Sequence, residues 1–223
     1  SDITIDGDID DDNVADITID GNNQSGVFNI SSGGIATLDA LTITGGNAFR
    51  GGGIYNNGTA TVTNSTLSGN SASRGGGINN YGTATVTNST LSGNTAGWGG
   101  GIANGNGSTA TMTNSTLSGN TANYGGGVFN SSSTATVVTN STLSGNSANY
   151  RGGGISNYGT ATVTNSTLSG NLADNSGGGI SNGSTATATV TNSIVLGNIA
   201  VTGAEINGTV TNTDNRSIIG GEN

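Results

Sequence analysis

A unit reading Gly-Gly-Gly-Ile…Thr-Ala-Thr-Val-Thr-Asn-Ser-Thr-Leu-Ser-Gly-Asn returns along this chain about every 24 to 27 residues. It stands clearest at Gly51–Asn70 and Gly75–Asn94, and four looser copies follow, ending near Asn198. A period this short means stacked units, each burying its apolar face only against its neighbours. Within the unit, Thr59-Ala60-Thr61-Val62-Thr63 alternates small apolar residues with threonine. That is the signature of a half-buried strand with Ala60 and Val62 inward and the threonines outward. Leu67 marks a second short strand before the Gly69-Asn70 turn, and Ile54 a third after Gly51-Gly52-Gly53. Helix is disfavoured, because Thr, Gly, Ser and Asn are poor helix formers and no 3.6-residue period is present.

Three columns of inward residues follow from the phase. They are Ile54, Ile78, Ile102, Val128, Ile155, Ile180 and Ile206; Leu67, Leu91, Leu117, Leu143, Leu168 and Val195; and Val62, Val86, Met112, Val138, Val163 and Val190. The fold expected is therefore all-β: a single-stranded right-handed parallel β-helix, or β-solenoid, with three short strands per coil and eight or nine coils. Stacked about 4.8 Å apart, these make a rod on the order of 40 Å long. The whole chain, 1–223, reads as one domain, with acidic lead-in coils over 1–50, regular repeats over 51–200 and a degenerate final coil over 201–223.

Asparagine keeps the same phase in two series. One is Asn64, Asn88, Asn114, Asn140, Asn165 and Asn192; the other is Asn70, Asn94, Asn120, Asn146, Asn171 and Asn198. Stacked amides form hydrogen-bonded ladders along the axis and satisfy turn groups that burial would orphan. Several of these asparagines lie in Asn-x-Ser/Thr sequons, but locked repetition favours ladders over glycosylation.

Leu-Ser-Gly-Asn followed by Gly-Gly-Gly-Ile resembles the paired FxxN and GGA[ILV] motifs of chlamydial polymorphic outer membrane proteins. It is more similar still to the Gly/Asn/Thr-rich right-handed β-helix repeats of large secreted bacterial proteins, cyanobacterial ones included. The stretch Ile17-Thr18-Ile19-Asp20-Gly21 through Leu41-Thr42-Ile43-Thr44-Gly45-Gly46-Asn47 looks like their lead-in coils. The resemblance covers nearly the whole chain. It implies a bacterial cell-surface or secreted setting, and its motifs specify coil geometry rather than chemistry.

Composition excludes several function classes. The chain has no His and no Cys, which removes the usual general base, thiol nucleophile and zinc sites. The absence of cysteine also rules out a disulfide scaffold. Its net charge of −9 argues against a nucleic-acid partner, since phosphate backbones need a basic surface. No apolar run is long enough for a membrane-spanning helix, so direct membrane insertion is not expected, and no signal peptide is evident. The chain reads as a mature product or a piece of a longer one. Some parallel β-helices cleave polysaccharides, but glycoside hydrolysis needs paired carboxylates. None occurs between Asp39 and Asp174. Asp174, Glu205 and Asp214 read as loop acids, and no catalytic residue is assigned.

Four candidate functional features remain. Asp6, Asp8, Asp10 and Asp12 place several oxygens in one N-terminal segment, as calcium requires. The segment lacks the Gly and Glu of an EF-hand, and a solvated acidic loop is the favoured alternative. The residue before each glycine triplet varies: Arg50, Arg74, Trp98, Tyr124, Arg151, Ser176. With Tyr150, Tyr55 and Phe129 these make a cationic and aromatic stripe suited to glycans and carboxylates, or a column that shields the coil edge. The outward threonines form a regular array like the face of ice-binding solenoids, interrupted at Ala135 and Val137. Neither solenoid end shows a cap, so self-association into head-to-tail filaments is expected, with a divalent cation as a candidate bridge. The reading that emerges is a non-enzymatic extracellular structural or adhesive β-solenoid, with glycans or cell-surface components as partners. Ice binding and a polysaccharide-binding or polysaccharide-active β-helix are the alternatives.

Overall fold

A computed structural model describes residues 2–212 and 216–221, so Asp214 lies outside the described residues. Among those described, every regular element is a strand, and all strand pairings are parallel between successive coils. The coils build one β-solenoid whose four sheets hold nine, eight, nine and six strands. Eight steps of about 4.8 Å give a rod about 38 Å long.

One coil shows how the sequence closes. Ile54–Asn56 forms the isoleucine face, Thr59–Thr63 the threonine face and Thr66–Ser68 the leucine face. A fourth strand, Ser71–Arg74, forms an edge face before the next glycine triplet. The fourth strand corrects the expected three per coil. Its inward column is alanine (Ala72, Ala96, Ala122, Ala148, Ala173), too small to stand out as apolar periodicity among Ser, Asn and Gly.

The predicted columns meet residue for residue. Ile78 pairs with Ile54 and Ile102, Leu91 with Leu67 and Leu117, and Val86 with Val62 and Met112. These side chains form one continuous, fully enclosed core. The lead-in joins the same sheets: Asp2–Asp6 pairs with Ile35–Asp39, and Ile17–Asp20 with Leu41–Thr44.

Differences in coil length are absorbed at two places. Asn80-Tyr81-Gly82-Thr83 becomes Asn104-Gly105-Asn106-Gly107-Ser108-Thr109 in the next coil, yet Thr83 still pairs with Thr109. The other variation falls at the end of the edge-face strand Ser147–Arg151, where Tyr150 is inserted as a bulge and Arg151 takes the place of Tyr124. The isoleucine, threonine and leucine faces stay in register while the corner and the end of the edge face carry the variation.

The glycine triplet is set by close backbone approach. A Cβ on Gly76 would lie 2.6 Å from the carbonyl oxygen of Gly100 and 2.7 Å from that of Thr95 in the next coil. Gly93, by contrast, has φ of +61° with nothing near its absent Cβ. Gly76→Ala is therefore expected to force coils apart at a cost of about 3 kcal/mol. Gly93→Ala costs only the left-handed backbone penalty of about 1 kcal/mol. Thermal melts of the two variants should separate in that order; equal losses would remove coil contact as the reason for the triplet.

Candidate functional site

Three kinds of side-chain column run along the rod, and their chemistry differs. The first is amide. In the Asn70 series each Nδ2 donates to the Oδ1 of the next asparagine, at 3.1, 3.0, 2.9, 2.9 and 2.8 Å from Asn70 to Asn198. The second N–H of each amide reaches a carbonyl of the preceding coil, as Asn94 does to Leu67 at 2.9 Å. Each Oδ1 also accepts a backbone N–H, as Asn94 does from Asn70 at 3.0 Å. Every donor and acceptor of a buried amide is thereby used.

A second buried ladder went unread in the sequence. Asn56, Asn80, Asn104, Asn130, Asn157 and Asn182 bond in the same sense, at 2.7 to 3.1 Å. The signal was an asparagine two residues after each inward Ile or Val. At short corners its oxygen accepts the N–H of a following glycine, as Asn80 does from Gly82 at 3.1 Å. At long corners a hydroxyl replaces that N–H, as Ser108 donates to Asn104 at 2.6 Å. Serine makes a further column: Ser89 Oγ accepts the N–H of Ser65 and donates to the Thr87 carbonyl.

The Asn64 series is different. Its members sit at corners with φ of +45° to +50°, a conformation asparagine tolerates well, and all but Asn64 are solvent-exposed. The expected ladder is interrupted here: Asn88 to Asn64 and Asn114 to Asn88 are both 3.3 Å and Asn192 to Asn165 is 2.7 Å, but Asn140 bonds to neither neighbouring asparagine. They point the opposite way.

Both predicted series end on a carboxylate. Asn64 donates to Asp39 at 3.0 Å. At the other end Glu205 takes the place of the next asparagine. It accepts from Asn198 Nδ2 at 2.6 Å, from the Asn198 N–H at 3.2 Å and from the Gly197 N–H at 2.8 Å. Glu205 is 6% exposed, so the expected loop acid is a buried terminator of the ladder. Asp174 is exposed at a bend after the edge face.

The acidic segment gathers Asp8, Asp10 and Asp16, with one carboxylate oxygen of each within 4.8 Å of the others. Asp6 and Asp12 lie outside that group and accept the N–H of Asp8 at 3.0 Å and of Val14 at 2.8 Å, while Asp8 and Asp16 also accept loop N–H groups. Asp10 is raised above its ordinary value by Asp12 first, then by desolvation, Asp16 and Asp8.

The stripe is a true column. Arg50, Arg74, Trp98, Tyr124 and Arg151 pair in order, and Ser176 continues it. Its middle is a stack. The Arg74 guanidinium lies 5.2 Å from the Trp98 ring centre, Trp98 lies 6.5 Å from Tyr124 at 10°, and Tyr124 lies 5.1 Å from Tyr150 at 29°. Across the glycine corner stands a second aromatic row, with Tyr55 and Phe129 on the isoleucine face and Tyr81 and Tyr158, which were not anticipated, at the corner after it. Tyr55 and Phe129 belong to this row, and only Tyr150 joins the edge stack. Arg50 and Arg74 donate to the hydroxyls of Tyr55 and Tyr81, at 3.3 and 3.2 Å. The Tyr55 hydroxyl is held below its usual range by a hydrogen bond from Asn57 and by Arg50, against desolvation.

Between the rows lie two hollows of about 320 and 540 Å³ that share Trp98, Phe129 and Ser131, forming one groove. No carboxylate lines either hollow. The residues around it are ring faces, guanidinium groups, amides and hydroxyls, which can hold a polar, ring-shaped ligand.

The ladders make a direct prediction. Asn120→Ala orphans buried groups in two coils and is expected to cost about 2–4 kcal/mol, whereas Asn114→Gly stays within about 0.5 kcal/mol. Glu205→Gln turns one acceptor into a donor facing donors. It should cost about 1–3 kcal/mol and speed amide exchange at Gly197 and Asn198. Similar losses for Asn114→Gly and Asn120→Ala, or unchanged exchange in Glu205→Gln, would contradict these roles.

Compared with protein-family models, curated proteins and solved structures, the chain matches none, so the geometry above is what its function must be argued from.

Proposed function

We propose that this chain is a non-enzymatic, adhesive β-solenoid of a bacterial exterior that holds carbohydrate along its edge face. The observation that carries this is the Arg74–Trp98–Tyr124–Tyr150 stack, which spans three coil steps, about 14 Å, beside a groove. Exposed rings cost solvation, and Trp98 and Tyr150 remain 37% and 46% exposed. Such faces suit the C–H faces of sugar rings, and the rim hydroxyls, amides and guanidinium groups suit their hydroxyls. The reading as binder rather than catalyst rests on the lining, which offers neither a carboxylate pair nor a neutral base. The exterior setting rests on the likeness of the repeats to those of secreted β-helix proteins.

A glycan array with the purified chain tests this. Binding is expected, with no shortened product by mass spectrometry. Trp98→Ala and Tyr150→Ala should each weaken it about five- to tenfold. Binding untouched by both substitutions would remove the groove from the reading, and a cleaved glycan would remove the word non-enzymatic.

One observation favours a second reading, ice binding. The outward threonines stand in register over five all-threonine rows, from Thr59/Thr61/Thr63 to Thr187/Thr189/Thr191, broken only at the row Ala135/Val137/Thr139. Under that reading the protein depresses the freezing point below the melting point, and Thr85→Leu abolishes the gap. Under the carbohydrate reading a nanolitre osmometer finds no gap at all.

A further inference from the structure

We infer that the hollow bounded by Tyr81, Trp98 and Phe129 takes a carboxylate-bearing sugar, a uronic acid residue of an acidic polysaccharide. The inference rests on the carbohydrate reading above and names its ligand class.

The hollow exists because the coil between those of Tyr81 and Phe129 lacks rings. Outward positions after the inward Ile or Val carry Tyr55, Tyr81, Phe129 and Tyr158 in other coils, but Ala103 and Gly105 in the coil between Tyr81 and Phe129. Two coil steps, about 9.6 Å, separate the coils of Tyr81 and Phe129. The Tyr81 ring leans over Gly105, where a Cβ would meet it at 2.5 Å, and closes the floor on that side. Trp98 supplies a wall on the edge-face side.

The charge in the hollow is positive and unmatched. Arg50, Arg74 and Arg151 are three of the chain's four cations, in a protein of net charge −9. All three stand on this one edge. The sequence holds no acid between Asp39 and Asp174 to pair with Arg74, which contacts only the Trp98 face and the neutral Tyr81 hydroxyl. A guanidinium with five N–H donors and one neutral acceptor has its planar fork free for a carboxylate. Arg151 lies three coil steps on, about 14 Å, at the second hollow, so a polymer with recurring carboxylates meets a cation at both ends of the groove.

The floor asks for a donor. Asn79 lines the hollow at 1% exposure; its Nδ2 reaches the Ala103 carbonyl at 3.4 Å, and its Oδ1 has no partner. An orphaned buried acceptor is satisfied by a hydroxyl donor, which a sugar carries and a bare inorganic anion lacks. Ring face, cation and acceptor together specify a ligand that is hydroxylated, ring-shaped and anionic. A densely charged polyanion such as a nucleic acid is disfavoured by the chain's net charge of −9.

Trp98 is the chain's one tryptophan and lines both hollows, so its fluorescence reports this groove. We would titrate the full chain with oligogalacturonate, with the same oligomer after carboxyl reduction, and with a sulfated neutral oligosaccharide. The expected result is a saturable change with oligogalacturonate, at least tenfold weaker after carboxyl reduction. Arg74→Gln should weaken uronate binding at least tenfold and weaken the carboxyl-reduced oligomer by a distinctly smaller factor. Arg74→Lys, which keeps the charge without the fork, should fall between, with melting curves confirming that both variants fold. Equal binding of the reduced and uronate forms overturns the acid inference and leaves the carbohydrate reading standing. A preference for the sulfated oligosaccharide, or uronate binding indifferent to Arg74→Gln, overturns it as well. No response to any sugar, together with an empty glycan array, overturns both.

Discussion

Parallel coils in register bring each side chain to within about 4.8 Å of its own counterpart, and everything else in this molecule follows from that encounter. A residue at a repeating position must tolerate itself. Leucine and isoleucine do so by packing, and serine and asparagine by bonding, because each is both donor and acceptor. Lysine, aspartate and glutamate would face a like charge at every step. This explains a chain in which only 8% of residues are charged and in which most acids sit in the irregular lead-in. It also gives the arginine pair Arg50 and Arg74 its significance. Two cations at adjacent steps persist because tyrosine hydroxyls and ring faces receive them.

Legibility in the sequence tracked the same rule. Columns of Ile, Leu and Val stood out because large apolar residues recurred among small polar ones, and each lies where its phase put it. The Ala72–Ala173 column was invisible for the opposite reason, since alanine among serine and glycine carries little contrast, and a whole face went with it. The Asn56 ladder was passed over because asparagine beside glycine reads as a turn, although here it closes the corner from inside. Glu205 could not be read at all: it does its work by breaking the repeat, and only contact with Asn198 reveals it. For the groove, the edge column was predictable from one phase. Tyr81 and Tyr158 were not, because the facing rings fall at two different positions of the repeat and are absent from the coil of Ile102.

The coil therefore separates two demands by place. Faces are uniform, since any departure is felt by both neighbours. Corners between the isoleucine and threonine faces, and the end of the edge face, accept extra residues without shifting the ladders. The two hollows lie beside these places, and their rings are drawn from positions where the repeat is least faithful. Variation that a packed interior forbids is thus concentrated where a ligand can meet it.

The two carboxylates at the ladder ends have a consequence for how such a rod changes length. An amide ladder has a direction, and at its last member an N–H is left over; Asp39 and Glu205 each receive one, from opposite senses. Because the terminator touches only the final coil, whole 24-residue units can be inserted or lost between the two without leaving a broken bond at either end. Duplication of this chain would behave like lengthening a ruler between fixed stops. The spacing of its edge residues would grow in whole steps while both ladder ends kept the same terminators.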